Sequence, residues 1–302
     1  MNVLVVGGAG FVGSHLTERL VADGNTVDVV DDLSCGSLAN LGEARGMGGD
    51  LQIHTLDAGS EQFQALVQLK NPAVIYHLGL LPPGLPAETT GAASMRSLFG
   101  VLEAARALGG VRVVVALSAV ALYGEVPSKD QPIKEGHPWA PVGLRGVLAR
   151  SVADVLAAYR EEHAVEYTAL ALANLYGARQ RANGGVAGAF AHALAERVTP
   201  MMSGDGRQSR DFLYIDDAVD ALVRAATKGG GLVVNVGTGV ATAVRDLWTL
   251  MAGPDAPMPP SSPRRGDDVM RCALSPTRAR IHLAWAPWTE LSVGLRTMAH
   301  RR

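Results

Sequence analysis

"VVGGAGFVG", residues 5–13, carries glycines at 7, 10 and 13 between two different kinds of sequence. Before it runs the apolar, β-branched "NVLVV" (2–6), and after it the amphipathic "FVGSHLTERLVADG" (11–24). A strand that turns through glycines into a helix brings bare backbone and a helix N-terminus up to a pyrophosphate. Glycines alone are weak evidence, but the flanking strand and helix supply the context that a dinucleotide site requires.

Outward from this turn the pattern repeats. Apolar runs occur at 26–30, 51–56, 73–78, 111–117 and 167–172, and helical patterns at 61–70, 92–109 and around 145–162. In the last, Leu148, Val152, Val155, Leu156 and Tyr159 share one face. Apolar strands alternating with helices predict an α/β chain, a doubly wound parallel Rossmann sheet covered on both sides. From about 177 the sequence turns Gly-rich, then Pro-rich at "APMPPSSPRRGDD" (256–268). Residues 1–175 are expected to form the dinucleotide-binding domain, and 176–302 a smaller, interleaved C-terminal substrate lobe.

The second strand ends at "VDDLSCG" (30–36), with Asp31 placed 18 residues after Gly13. A carboxylate there accepts hydrogen bonds from the adenosine ribose and repels a 2′-phosphate. No Arg follows until Arg45, so NAD(H) is favoured, with NADP(H) left open. Asp57, in "HTLDAGS" (54–60), either reaches the adenine or caps the following helix.

Bulk composition narrows the class. Lys and Arg number 27 against 29 Asp and Glu, giving a net charge of −2 that offers nucleic acid and anionic lipid no basic field. Cys35 and Cys272 make neither a metal spacing nor a disulfide framework, and read as free thiols in a reducing cytoplasm. No segment reaches the roughly 18 apolar residues of a membrane span. The apolar run in "MNVLVVGGAG" (1–10) is too short for a signal peptide. The expectation is a cytoplasmic protein with a small-molecule substrate, no nucleic-acid or membrane partner and no metal.

The glycines, Asp31 and Asp57 are followed in order by "IYHLGLLP" (75–82), "VALSAVALYG" (115–124), "LALANLYGARQ" (170–180), "GDGRQSRDFLYIDDAVDA" (204–221) and "VVNVGTG" (233–239). On these blocks the chain resembles, over nearly its full length, the extended short-chain dehydrogenases/reductases. UDP-galactose 4-epimerase and the nucleotide-sugar dehydratases are the nearest kinds. The resemblance implies that Gly7, Gly10, Phe11, Val12 and Gly13 hold the pyrophosphate, and Asp31, Asp32 and Leu33 the adenosine ribose. It places Asp57 and Ala58 at the adenine, passes Leu78, Gly79 and Leu80 under the cofactor, and brings Leu172 towards the nicotinamide. Asn174 and Arg210 match substrate-contacting positions, with "SPRRGDD" (262–268) beside a nucleotide pyrophosphate. A homodimer through a helix bundle is implied as well.

The family's acid–base pair, a Tyr followed four residues later by Lys, has no counterpart here. Leu80, Pro127, His163, Ala171, Gln180 and Ala218 stand four after the six tyrosines, and 135–227 contains no lysine. In "APVGLRGVLAR" (140–150) the pair falls on Val142 and Gly146 in one alignment, and on Arg145 and Ala149 in the other. Ala119 replaces the usual Ser/Thr, with Ser118 one residue early, and Ser94 stands where the family has an Asn. Ser118, Asn174 and Ser94 therefore remain as the candidate catalytic contacts. The leading expectation is an NAD(P)H-dependent ketoreductase whose substrate or water supplies the proton. It resembles the atypical ketoreductases that tailor aromatic polyketides, such as the angucyclinone part of simocyclinone, in antibiotic biosynthesis. The alternatives are a nucleotide-sugar epimerase or dehydratase, and a catalytically silent NAD-binding protein.

Overall fold

The computed structural model describes residues 1–263 and 268–300, with 299 and 300 as helix backbone only. Six strands, β1 (Asn2–Val6), β2 (Thr26–Asp31), β3 (Leu51–Thr55), β4 (Val74–His77), β5 (Arg112–Ser118) and β6 (Glu166–Leu172), join the strand Leu232–Val236 in one sheet. The order is Leu232–Val236, β6, β5, β4, β1, β2, β3. β1 pairs in parallel with β2 (Val3↔Val27) and with β4 (Val3↔Val74). The chain thus winds away from β1 in both directions, and the C-terminal ends of β1 and β4 form the switch point at which such sheets bind ligands.

Val3, Leu4, Val5, Val27, Val29, Val30, Val113, Val114 and Val115 are almost wholly buried, which is why these strands read as continuous apolar runs rather than alternating ones. Up to residue 163 the α-helices are α1 (Phe11–Ala22), α2 (Gly42–Gly46), α3 (Glu61–Lys70), α4 (Ala87–Leu108), α5 (Ala119–Tyr123) and α6 (Gly143–His163). α4 starts five residues before the stretch read as helical at 92. Pro86 precedes it, and its polar opening "AETTG" has no apolar period to announce a helix.

The chain divides into two compact units. The first comprises 1–117, 148–170 and 219–234, and the second 118–147, 171–218 and 235–302. Around Asp211, the second unit ties short strands together: Asn174–Tyr176 runs parallel to Phe212–Tyr214, and Ser209–Arg210 pairs with Thr242–Ala243 and Arg271–Cys272. The Asp211 carboxylate accepts from Thr238 N (2.9 Å), Thr238 Oγ1 (2.6 Å), Gly239 N (3.0 Å) and Leu274 N (3.0 Å). Burial pushes its pKa up against the opposing pull of those donors. Among the described residues no helix is long and apolar enough to cross a membrane, and no cluster of His, Cys, Asp and Glu could hold a metal.

Candidate functional site

Each glycine of the first turn does a separate job. Gly7 has φ +78°, and a Cβ there would lie 2.7 Å from Gly79 N, so the turns after β1 and β4 pass backbone to backbone. Gly13 faces the Gly7 carbonyl oxygen, where a Cβ would overlap it, which lets α1 close onto the turn. Gly10 is open: a Cβ there would meet only Gly7 O, at 3.2 Å. Gly10 caps α1 without a side-chain acceptor, leaving the first-turn N–H groups, at Phe11, Val12 and Gly13, for an anion. This bare, positively poled cradle fits a dinucleotide pyrophosphate.

Asp31 closes β2 beside the turn. Its Oδ2 accepts from Ala9 N and its Oδ1 from Leu33 N, both at 2.9 Å, while burial raises its pKa. Leu33 is held at φ +59°, and Asp32 accepts from Ser34 N and Oγ, so 31–34 is a built loop rather than a frayed strand end. Asn40 Nδ2 and Ser37 N both donate to Ala9 O, pinning the same loop from a distance no sequence spacing foretold.

Asp57 is not the cap of α3. Ser60 is, its Oγ accepting from Phe63 N at 3.2 Å, while Asp57 accepts from Gly59 N (2.8 Å) and Arg96 Nη2 (2.6 Å). Ala58 is buried next to it.

Leu78 N donates to Val6 O (2.9 Å), seating the Leu78–Gly79–Leu80 loop against β1. Ser94 Oγ accepts from Leu81 N at 2.9 Å, so the hydroxyl anchors the loop that follows. His77 is fully buried beneath, its Nε2 against Ser97 Oγ at 3.1 Å. Desolvation drives its pKa down to about 3, so it stays neutral.

The remaining expected residues lie in the second unit. Ser118 is exposed at the end of β5 and caps α5 loosely, its Oγ 3.5 Å from Ala121 N. Leu172 is buried at the end of β6. Asn174 donates its backbone N–H to Asp211 O, and its side chain takes no part in fixing that strand. Arg210 is buried and pairs with Asp268 (2.6 Å), not with Asp211 or Asp216, while its Nη1 donates to Ser209 O. Arg264 and Arg265 of "SPRRGDD" lie outside the described residues.

Two groups four residues apart share a helix face only where both are helical. Val142 precedes α6 and Gly143 takes φ +68°, whereas Arg145 and Ala149 both lie in its first two turns. Neither Val142 with Gly146 nor Arg145 with Ala149 puts a tyrosine and a lysine at this end of α6. Tyr76, Tyr123 and Tyr176 are fully buried, and Tyr167 and Tyr214 nearly so. Tyr123 donates to Asn235 Oδ1 (2.9 Å), and burial carries its pKa up to about 12. Tyr159 donates to Glu103 Oε1 (2.7 Å), with desolvation first and then that bond pushing its pKa up to about 12.

With this geometry the comparisons agree closely. A profile described as the NAD dependent epimerase/dehydratase family matches residues 3–237. The chain belongs to this family. UDP-glucose 4-epimerase from Mycolicibacterium smegmatis is 37% identical across 98% of this chain and 96% of its own. The structure of Thermotoga maritima UDP-glucose 4-epimerase with UDP-glucose superposes with a TM-score of 0.91 at 30% identity, covering 99% and 97% of the two chains. That of the Thermus thermophilus enzyme with NAD gives 0.88 at 26%, covering 99% and 98%. Membership of this family, with NAD bound in the Thermus thermophilus neighbour, supports an α/β fold that uses NAD(H). Of the activities weighed above, these relatives favour the nucleotide-sugar alternative over the ketoreductase.

Proposed function

We propose that this chain is an NAD(H)-dependent carbonyl reductase that has given up the epimerase reaction of its relatives. The observation that carries the proposal is the composition of residues 140–163, where neither Val142 with Gly146 nor Arg145 with Ala149 supplies a Tyr and Lys four residues apart, and where the one tyrosine, Tyr159, is bound to Glu103. Arginine stays protonated at any working pH and cannot donate.

NAD(H), when bound, supplies the hydride. Gly7, Gly10 and Gly13 with the N–H groups of α1 hold the pyrophosphate, Asp31 the ribose hydroxyls, and Ser118 and Asn174 orient the carbonyl from the second unit. Orientation alone contributes up to roughly 7–11 kcal/mol, whereas a general acid adds about 10²–10⁴-fold in rate. A reductase therefore survives loss of the tyrosine if the product alkoxide takes its proton from a neighbouring phenol of the substrate or from water. An epimerase is hit harder, since a base must first strip an unactivated sugar hydroxyl. An aromatic polyketide ketone flanked by a phenol meets the requirement, and a homodimer is carried with this reading.

The second reading, a nucleotide-sugar epimerase, is favoured by the relatives and by Arg210, a buried residue to which the family resemblance assigns a substrate contact. One experiment separates the two. Purified protein is given NADH with an ortho-hydroxyaryl ketone, the same ketone methylated on its phenol, and, separately, UDP-glucose with NAD. Reduction of the free phenol but not its methyl ether supports the reductase. UDP-galactose formation without ketone reduction would establish the epimerase instead.

A further inference from the structure

Arg96, on α4, pairs with Asp57 across 39 residues of sequence, Nη2 to Oδ2 at 2.6 Å. Their side chains remain 60% and 38% exposed, and so open an ion pair adds little to folding stability. The chain is nonetheless shaped around it. A Cβ on Gly59 would lie 2.6 Å from Arg96 Cγ and 3.0 Å from its Nε, so the arginine stem is laid along the turn where a side chain is missing. At Gly100 a Cβ would collide with the carbonyl oxygen of Ala58, and Gly100 O accepts from Gln64 Nε2 at 2.7 Å. α4 and the turn after β3 therefore meet backbone to backbone, with Arg96 locked over the join. Asp57 Oδ1 accepts from Gly59 N at 2.8 Å, so each carboxylate oxygen has one fixed donor and a lone pair to spare.

Asp57 follows β3, on the same side of the switch point as Asp31, the adenosine half of such a sheet. We propose that Arg96 sets adenine recognition in this chain by fixing the Asp57 carboxylate as an acceptor for the 6-amino group of the base. The proposal rests on the dinucleotide reading of the glycine turn. Without Arg96 the carboxylate keeps only Gly59 and rotates and hydrates freely, so a base bearing a 6-amino donor loses its advantage over one bearing a 6-keto group. Lysine restores the charge without the planar fork, and so returns part of the effect.

The test compares NADH with reduced nicotinamide hypoxanthine dinucleotide, which carries the keto group, by cofactor fluorescence. Unaltered protein, Arg96→Ala and Arg96→Lys are titrated alongside thermal unfolding of each. Arg96→Ala is expected to weaken NADH about tenfold while the hypoxanthine analogue stays within about twofold, with Arg96→Lys between and all melting temperatures within roughly 2 °C. Equal weakening of both dinucleotides, or of neither, overturns the role of Arg96 while leaving the cofactor reading intact. Failure of unaltered protein to bind either dinucleotide overturns the cofactor reading and this proposal with it.

Discussion

Substituting alanine at Gly10 and at Gly13 separately divides binding from folding within one turn. At Gly13 the new methyl would overlap Gly7 O and lie 2.7 Å from Gly8 Cα and 2.9 Å from Gly7 C. All three are backbone atoms at the end of β1 and cannot rotate aside, so α1 has to lift from the turn. Overpacking of this kind costs about 1–3 kcal/mol. At about 2–4 °C per kcal/mol, Gly13→Ala should melt roughly 2–12 °C lower. Gly10 has φ −77° and ψ −177°, a conformation any residue adopts, and the single neighbour at 3.2 Å has to yield only slightly. Its stability should change by less than about 0.5 kcal/mol. The Gly10 methyl instead stands at the mouth of the uncapped helix, where a pyrophosphate must approach the backbone, and NADH should bind at least about tenfold more weakly. Thermal unfolding without cofactor and NADH titration, run on the same preparations, give both numbers. A Gly10→Ala protein that binds NADH as tightly as the unaltered chain would refute the assignment of this helix end to the pyrophosphate. A Gly13→Ala protein with an unchanged melting temperature would refute the packing argument.

Asp31→Ala removes the acceptor for Ala9 N and Leu33 N and the charge opposed to a 2′-phosphate. NADH should weaken about tenfold and NADPH less, so the ratio of their dissociation constants moves towards NADPH; an unchanged ratio would count against Asp31 as the ribose residue. Tyr159→Phe loses the 2.7 Å bond to Glu103 and about 0.5–1.5 kcal/mol of stability, while turnover should stay within about twofold. A kcat collapse there would make Tyr159 a proton donor after all. His77, with its pKa lowered from 6.5 to about 3, stays neutral in the folded chain while the unfolded chain takes up a proton. Its contribution is complete above pH 6.5 and is lost as pH falls towards 3, by up to about 1.4 kcal/mol per unit. His77→Leu should flatten that acid limb in a plot of melting temperature against pH, and an unchanged slope would exclude His77 as its source.

Most of the sheet was legible because strands buried on both faces are written as nearly unbroken apolar runs, and all six runs read from the sequence became strands, the partly exposed edge strand β3 among them. The three glycine roles were legible too, since turn, approach and packing each demand a missing Cβ at a fixed place. What sequence spacing does not carry is pairing across the chain. Arg210 has acidic residues one and six positions on, yet its partner is Asp268, 58 residues on, while Asp211 is committed to Thr238, Gly239 and Leu274. Tyr123 reads as part of a motif, but only the fold buries it and ties it to Asn235, 112 residues away. Asp57 could be a cap or an adenine contact by position, and Ser60 settled the first question by taking the cap. Activity was the hardest to extract. The residues at 140–150 point to a reductase, whereas similarity over the whole chain favours the nucleotide-sugar enzymes.

The division into two units has a consequence for how such an enzyme acquires a new substrate. The chain passes from one unit to the other five times, at 117/118, 147/148, 170/171, 218/219 and 234/235. Neither unit is a contiguous stretch of coding sequence, so recombination at a single crossover cannot exchange one against a foreign counterpart without importing part of the other. Substitutions and insertions at loop tips, by contrast, can alter one unit and leave the other unchanged. The glycine turn before α1 and the helix α6 can then change independently of one another within one reading frame.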